Sequence, residues 1–129
     1  MANSKTWAAL LALLVVLGRG AVLPAGVVEE GRAAKPKEVV IKDMKFLVGG
    51  KEQPLTIQAG DTVVFVNEDT MAHSAVSEDG GRSFDTGLIR AVGRSKPVKF
   101  KRPTRGNPLT YICGPHPRMK GSIIVEARP

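Results

Sequence analysis

The residues with the most distinctive chemistry stand near the end of the chain, in the segment Cys113-Gly-Pro-His-Pro-Arg-Met119. Cys113, His116 and Met119 follow one another at intervals of three residues, and all three side chains bind copper. A thiolate and a thioether suit Cu(I), whereas an imidazole suits both oxidation states. A trigonal site of one thiolate and two imidazoles needs a second histidine, and the chain has one other, His73. The pattern therefore predicts a single copper site.

The scarcity of these residue types supports a shared site. One Cys and two His in 129 residues exclude an intramolecular disulfide framework, a four-Cys or two-Cys-two-His zinc module and a three-His zinc enzyme. Taken singly, a lone Cys or Met is usually a core residue, and a lone His usually binds no metal. The set argues against that interpretation, because one site accounts for the only Cys and both His.

The prolines on either side of His116 have a physical role in such a site. Pro115 and Pro117 fix the backbone angle φ, which limits how far the loop relaxes when copper changes oxidation state. Pro115 also has no N–H to donate to the Cys113 sulfur, which predicts more charge on the thiolate and a moderate potential. Gly114 allows the backbone to pass close to the metal.

The rest of the pattern consists of short β-prone runs separated by turn residues. Aromatic residues make up only 5%, while Gly and Pro number 14 and 9, which is typical of a turn-rich β protein. Strands are predicted at 39–48, 55–58, 62–67, 72–77, 83–87, 97–101, 109–113 and 122–126. The apolar positions of the first run change parity, which predicts a bulge near Asp43. We expect an all-β sandwich or barrel of about eight strands with no long helix after the N-terminal segment.

The first 25 residues have the features of an export signal. Lys5 precedes an unbroken apolar run from Trp7 to Leu17, which is too short to span a bilayer comfortably. We expect cleavage after Ala25, with a site near residues 33–34 as an alternative, so that the protein is periplasmic or otherwise exported. An uncleaved anchor or a buried helix is the other interpretation. Residues 26–37 are interpreted as a flexible leader, and residues 38–129 as the copper-binding domain.

Beyond the ligand loop, three segments carry a resemblance to a known family. They are Ala59-Gly-Asp-Thr-Val63 through Asn67, then Met71-Ala-His73, and Phe84-Asp-Thr-Gly87. With the loop from Cys113 to Gly121 they make the sequence resemble the cupredoxins, the small blue copper proteins, and most closely the amicyanin and plastocyanin branch. The resemblance implies a Greek-key β-sandwich of eight or nine strands with copper at one end. It also implies that His73, Cys113 and His116 are the equatorial copper ligands and Met119 the weak axial ligand.

Two positions depart from the family pattern. Ser74 follows the first histidine, where the family usually has an Asn whose side chain ties the two ligand loops together. The hydroxyl has a shorter reach, so we expect looser coupling between the loops. Arg118 stands where amicyanin has an aromatic residue, which introduces a charge beside the exposed histidine and argues against an amine dehydrogenase as the partner.

The function expected from these features is the transfer of single electrons, with His116 as the electron port and Met71, Pro115 and Pro117 around it as the docking surface. The formal charge of +7, or +5 once residues 1–25 are removed with Lys5 and Arg19, suggests an acidic redox partner. A solvated basic surface explains the same charge. The cations on which this inference depends are Lys96, Lys99, Lys101, Arg102, Arg105, Arg118 and Lys120.

Candidate partners are a c-type cytochrome, a dehydrogenase or an oxidase. We expect a monomer, no nucleic acid and no stable insertion in a membrane after signal cleavage. A periplasmic copper carrier or storage protein remains an alternative, although the chain has four Met and no Cys pair. An enzyme is not expected, because a copper oxidase or nitrite reductase needs further His ligands. A Cys–His pair on one tight loop is also poorly placed for nucleophilic attack.

Overall fold

The computed structural model describes residues 34–129, and the predicted signal segment, with most of the leader, lies outside them. Within that range the chain forms nine strands and no helix, so no described segment is a helix able to cross a membrane. The strands are β1 (Lys37–Lys42), β2 (Lys45–Leu47), β3 (Leu55–Gln58), β4 (Thr62–Asn67), β5 (Val76–Ser77), β6 (Gly93–Arg94), β7 (Val98–Lys99), β8 (Leu109–Ile112) and β9 (Lys120–Glu126).

Two mixed sheets make the sandwich. The first has the order β2-β1-β4-β6, and β7 also pairs with β4; the second has the order β3-β9-β8-β5. β1 runs parallel to β4, and β3 runs parallel to β9, so neither pair is joined by a simple hairpin. This arrangement confirms the predicted all-β sandwich, and the strands at 55–58 and 62–67 have the predicted bounds.

The first predicted strand is wrong in one respect, because residues 39–48 are a hairpin and not one bulged strand. β1 and β2 pair antiparallel, with Lys42 opposite Lys45, and Asp43 and Met44 form the two-residue turn between them. Both turn residues have positive φ, 50° and 60°, as a type I′ turn requires. The parity change in the sequence therefore marks a chain reversal.

Other predicted strands are shorter than expected. Of residues 72–77 only Val76–Ser77 forms a strand, and residues 83–87 contribute just the isolated bridge between Val76 and Asp85. β9 begins two residues earlier than predicted, at Lys120. β6 was not predicted, since its two residues carry no β-prone pattern.

The core between the sheets is aromatic at its centre. Phe46, Phe65, Phe84 and Tyr111 pack with ring centroids 4.8 to 6.3 Å apart, mostly edge to face. Gly121 lies opposite Tyr111 in the β8–β9 pair, and a Cβ at that position would overlap the tyrosine ring. All strand pairs and this core lie within residues 35–129, which form a compact unit.

The two ends of the sandwich are distinct. At one end β4 leads to His73, β8 leads to Cys113, and the β1–β2 turn lies alongside; we call this the ligand end. The opposite end holds the beginnings of β4 and β8 and the last residues of β9, because β9 runs antiparallel to β8.

Candidate metal centre

The ligand loop, residues 113–119, is closed by its own backbone. Cys113 directly follows β8, and its N–H donates to the Met119 carbonyl at 3.1 Å. The Met119 N–H in turn donates to the His116 carbonyl at 2.9 Å. Cys113 is fully buried and Met119 is 5% exposed, so both sulfurs face inward from a loop that is otherwise largely exposed.

Three predicted ligands converge across the end of the sandwich. The Cys113 Sγ lies 3.6 Å from the Nδ1 of His73 and 3.6 Å from the Nδ1 of His116, although His73 is 40 residues away in sequence. The three donor atoms lie within 4.8 Å of one another. Metal bonds of about 2.0–2.3 Å at 120° would place sulfur and nitrogen about 3.5–3.8 Å apart. The thiolate–imidazole spacing therefore fits one metal ion bound between them.

The donor set selects copper. One thiolate and two imidazoles in a trigonal arrangement are the equatorial set of a blue copper site, and the buried Met119 lies on the same loop as two of these donors. Closed structural zinc sites use four strong ligands, and within residues 34–129 no further Cys or His remains to supply them. His73, Cys113 and His116 are positioned to bind one copper ion.

His73 is held through both its backbone and its ring. Its backbone exchanges two hydrogen bonds with Ile89, at 3.1 and 2.7 Å, which form an isolated bridge. Its Nε2 lies 2.8 Å from the Asp69 Oδ2. A carboxylate can only accept a hydrogen bond, so this contact assigns the ring proton to Nε2. The Nδ1 lone pair is then free and faces Cys113.

Asp69 serves the β1–β2 turn as well as the histidine. The N–H groups of Asp43 and Met44 donate to its two carboxylate oxygens at 2.7 and 3.1 Å. Burial by itself would raise the pKa of Asp69, but the bonds from Met44, Asp43 and His73 outweigh it and lower the pKa below 3.8. The turn with two positive φ angles and the buried imidazole are thus held by one carboxylate.

Asn67 organises the backbone around this arrangement. Its side-chain amide, 1% exposed as a residue, donates to the carbonyls of Met71 (2.8 Å), Ile89 (3.0 Å) and Arg90 (3.0 Å). Its carbonyl oxygen accepts the Asp69 N–H at 3.0 Å. Neither Asn67 nor Asp69 was predicted from the sequence as a support of His73, because an Asn and an Asp six and four residues before a histidine are ordinary.

Ser74 joins the two ligand segments. Its hydroxyl oxygen accepts the Gly114 N–H at 2.9 Å, and its own N–H donates to the Cys113 sulfur at 3.4 Å. The shorter side chain therefore makes the cross-link directly. A Cβ on Gly114 would lie 3.0 Å from this hydroxyl oxygen, so glycine is needed for the approach of Ser74. In the described chain Ser74 is the donor found for the sulfur, which agrees with the lack of an N–H on Pro115.

His116 is only partly buried and borders an apolar depression. The depression, about 320 Å³ in volume, is lined by Met44, His116, Pro117, Arg118 and Met119. Arg118 is beside His116, as the sequence indicates. Met44, 42% exposed and absent from the predicted docking surface, is brought here by the β1–β2 turn.

Exposed apolar side chains are concentrated at the ligand end. Among residues 34–129 four large hydrophobic residues are exposed: Met44, Met71, Leu88 and Val92. Each of them is connected to the site, either by a direct contact or by a residue near it in the sequence. Met71 is two residues before His73, and Leu88 adjoins the residue that bridges His73. The Val92 N–H donates to the Asp69 carbonyl at 3.3 Å. Of these four residues Met44 also lines the depression beside His116.

Comparisons with known proteins agree with this geometry. "Amicyanin-alpha" of Methylorubrum extorquens is 33% identical over 122 residues, which are 92% of this chain and 97% of that protein. The crystal structure of amicyanin from Paracoccus versutus has 29% identity and a TM-score of 0.59 and covers 74% of this chain and 86% of that one. A copper-containing nitrite reductase from Thermus scotoductus has 31% identity and a TM-score of 0.62, but only 24% of that chain is covered.

The similarity to the reductase does not make the chain an enzyme, because it covers only 24% of that protein, whereas the similarity to amicyanin-alpha covers 92% of this chain and 97% of that protein. Residues 36–126 match the family described as copper binding proteins, plastocyanin/azurin family. With most of the sequence matched and the donor atoms gathered at one end of a β-sandwich, the chain belongs to that family of copper-binding, electron-carrying proteins.

Proposed function

We propose that this chain is an exported carrier of single electrons with one type I copper site. His73, Cys113 and His116 are assigned as equatorial ligands and Met119 as the weak axial ligand. The observation that carries the proposal is the asymmetry of the two imidazoles: both lie 3.6 Å from the thiolate sulfur, but one is fully buried and the other borders an apolar depression. An electron carrier needs one shielded ligand and one ligand near the partner.

The protein's contribution is to keep the ligands in place. Copper, when bound, supplies a one-electron couple. The Asp69 carboxylate holds the His73 ring, the Ser74 hydroxyl holds the ligand loop through Gly114, and Pro115 and Pro117 restrict the backbone on either side of His116. A site held in this way changes little between oxidation states, so electron transfer needs little rearrangement.

The docking surface is assigned to the depression around His116 and the exposed methionines beside it. A c-type cytochrome, a dehydrogenase and an oxidase are the candidate classes of redox partner, without an assigned direction of electron flow. Arg118 lines the depression, so a partner that buries this face must place an acceptor oxygen or an acidic side chain against it.

Export depends on the N-terminal sequence. The apolar run of residues 7–17 and the break after it support removal of residues 1–25, followed by a leader at 26–37 and the domain at 38–129. The expected location is the periplasm or another exported compartment. N-terminal sequencing of the protein from its native host should begin at Gly26. A chain that begins at Met1 in the membrane fraction would contradict this.

Electron self-exchange compared with copper release separates an electron carrier from a copper carrier. The proposed function predicts rapid self-exchange by NMR line broadening and retention of copper against an excess of chelator. Fast loss of copper with slow self-exchange would favour the copper carrier or storage protein instead. The ordered loop and the full burial of Cys113 support retention.

A pair of variants tests the docking surface in the same experiment. Met44→Lys adds a second cation to the depression beside Arg118 and should slow self-exchange about tenfold or more, because the repulsion between the two copies at the contact increases. Thr56→Lys adds the same charge on the exposed face of β3 and should leave the rate nearly unchanged. Equal rates for the two variants would place the electron port elsewhere.

A further inference from the structure

The end of the sandwich opposite the ligands carries a cleft lined by cations. It has a volume of about 420 Å³, and its charged lining residues are Arg82, Lys99, Lys101 and Arg102. The apolar residues Phe100, Leu109 and Val125 also line it. No acidic residue lines this cleft, and in the described part of the chain none of the ion pairs includes any of its four cations.

Strand register places the cleft far from the copper site. Lys99 pairs with Thr62, at the beginning of β4, whereas His73 follows the end of that strand. Leu109 begins β8, whereas Cys113 follows its end. Val125 is near the end of β9, whereas Met119 precedes its beginning.

The cations project from an anchored backbone. The Phe100 N–H donates to the Asp61 carbonyl at 3.0 Å, and the Phe100 carbonyl accepts the Gly60 N–H at 2.6 Å. Thr104 is fixed to β9 twice, since its N–H donates to the Val125 carbonyl at 2.8 Å and its hydroxyl oxygen accepts the Val125 N–H at 3.1 Å. An ordered backbone lowers the entropy cost of binding a ligand here.

More cations extend the charge around the cleft. Lys37 begins β1 opposite Val63, at the same end of the sheet, and Arg105 lies in the loop between β7 and β8. Both are exposed, and in the described residues neither belongs to an ion pair. We call the cleft cations together with Lys37 and Arg105 the basic end.

We propose that the basic end binds the surface of a membrane that contains anionic phospholipids, with the lipid phosphates in and around the cationic cleft. Six cations that have no ion pair within residues 34–129 are spread over one end, and they match a surface of repeated anions better than one small anion. The arrangement also has a functional consequence: adsorption through the basic end leaves His116, at the opposite end, facing away from the lipid and open to a redox partner. An acidic partner protein steered to these cations would instead meet the end far from the copper.

Vesicle co-sedimentation at low salt tests this with the fragment 34–129, which contains every described strand and the core and lacks the apolar N-terminal run. The fragment should sediment with vesicles of phosphatidylcholine and phosphatidylglycerol and not with vesicles of phosphatidylcholine alone. Addition of 0.5 M NaCl should release it, because the Debye screening length is then only about 4 Å. Each cation near such a surface strengthens binding about fivefold.

Two charge-matched variants make the test specific. Lys99→Gln/Lys101→Gln/Arg102→Gln should weaken vesicle binding about a hundredfold. Lys51→Gln/Arg90→Gln/Lys96→Gln removes the same charge from exposed positions outside the basic end and should weaken it by far less. Circular dichroism verifies that both triple variants are folded.

Three results would overturn the proposal. One is no binding of the unaltered fragment to anionic vesicles at low salt. Another is an equal loss in the two triple variants, which would indicate an effect of net charge only. The third is binding of a soluble poly-glutamate peptide to the basic end, detected by NMR shifts, without binding to vesicles; this would identify an acidic protein as the ligand. None of these results bears on the copper site, which is tested separately by its spectrum.

Discussion

The two segments that carry the histidine ligands, which we call the first and second arms, differ in how deeply the histidine is buried and in what holds it. The first arm, residues 67–74, carries a histidine with no exposed surface, held by the Asp69 carboxylate of the same arm and by backbone bonds to Ile89. The second arm, the ligand loop 113–119, carries a histidine at the surface and is held mainly by its own backbone bonds and two prolines. The site is therefore fixed in position on its buried side, by His73, and accessible to a partner on its surface side, at His116. Outer-sphere electron exchange requires both properties.

The largest expected effect comes from removing each imidazole in turn. His116→Gly should leave a gap that reaches the surface, so that added imidazole enters it and restores the visible spectrum of the copper protein. His73→Gly should not be restored in this way, because the ring is fully buried and its loss leaves the Asp69 carboxylate without its partner. The measurement is absorbance against imidazole concentration.

Equal restoration of the two variants would contradict the difference between the arms. The His73 variant should also be less stable by about 3 kcal/mol or more, because a buried side chain and its charged hydrogen bond are both lost. Denaturant unfolding of the metal-free proteins measures this without copper.

The next effect in size concerns the Asp69 carboxylate. Asp69→Ala removes the acceptor of two turn N–H groups and of the His73 ring at once, and should lower the free energy of unfolding by about 2 kcal/mol. It should also broaden the copper EPR signal, since the ring is no longer held in one orientation. Glu68→Ala is the matched control: its exposed pair with Lys42 is worth less than about 1 kcal/mol. An unchanged EPR spectrum in Asp69→Ala would show that the His73 bridge to Ile89 suffices.

A smaller effect is expected where the arms meet. Ser74→Ala removes the hydroxyl that accepts the Gly114 N–H and should cost about 1 kcal/mol, while the Ser74 N–H still donates to the sulfur. The blue colour should persist, and hydrogen exchange of the Gly114 amide should become faster. Ser95→Ala, which removes a hydroxyl bonded to Phe65 away from the site, serves as the control for stability. Unchanged exchange at Gly114 would mean that the loop holds itself in place.

The smallest expected effect is a decrease in the free energy of unfolding at acidic pH. It originates outside the two arms, in the turn after β5. The hydroxyls of Ser77 and Ser83, with the N–H groups of Ser83 and Arg82, lower the pKa of Asp79 to about 2. A lowered pKa in the folded state means that this stabilisation is present above pH 3.8 and is lost as the pH falls through about 2.

Asp79→Asn should remove that part of the acid dependence. Unfolding followed between pH 5 and 2 should show a smaller loss for Asp79→Asn than for the parent chain or for the exposed Glu126→Gln control. The same pH slope in all three proteins would show that the hydroxyl contacts of Asp79 do not persist in solution.

The contrast between the arms also explains what the sequence could predict. The three donors come from residue types that occur once or twice in the chain, so their types and spacing, together with the family resemblance, suffice to choose them. The support of His73 has no such signal, because an aspartate four residues before a histidine is ordinary. Its meaning depends on a hairpin turn that approaches from another strand.

That turn is the clearest failure of local sequence reasoning. Two-residue turns with positive φ usually have the sequence Asn-Gly or Asp-Gly, but here the two turn residues are Asp43 and Met44. Asp69 holds the turn from outside, so a tertiary contact supplies what the local sequence lacks. The same contact brings Met44 to the His116 depression, a position that the local sequence does not indicate.

The central claim is that His73, Cys113 and His116 bind one copper ion as a blue site, and addition of one equivalent of Cu(II) tests it most directly. Visible absorption should show an intense blue or green band from thiolate-to-copper charge transfer, and EPR should show a narrow copper hyperfine splitting. Cys113→Ser should abolish the band. A colourless product with the EPR parameters of ordinary tetragonal copper would contradict the account.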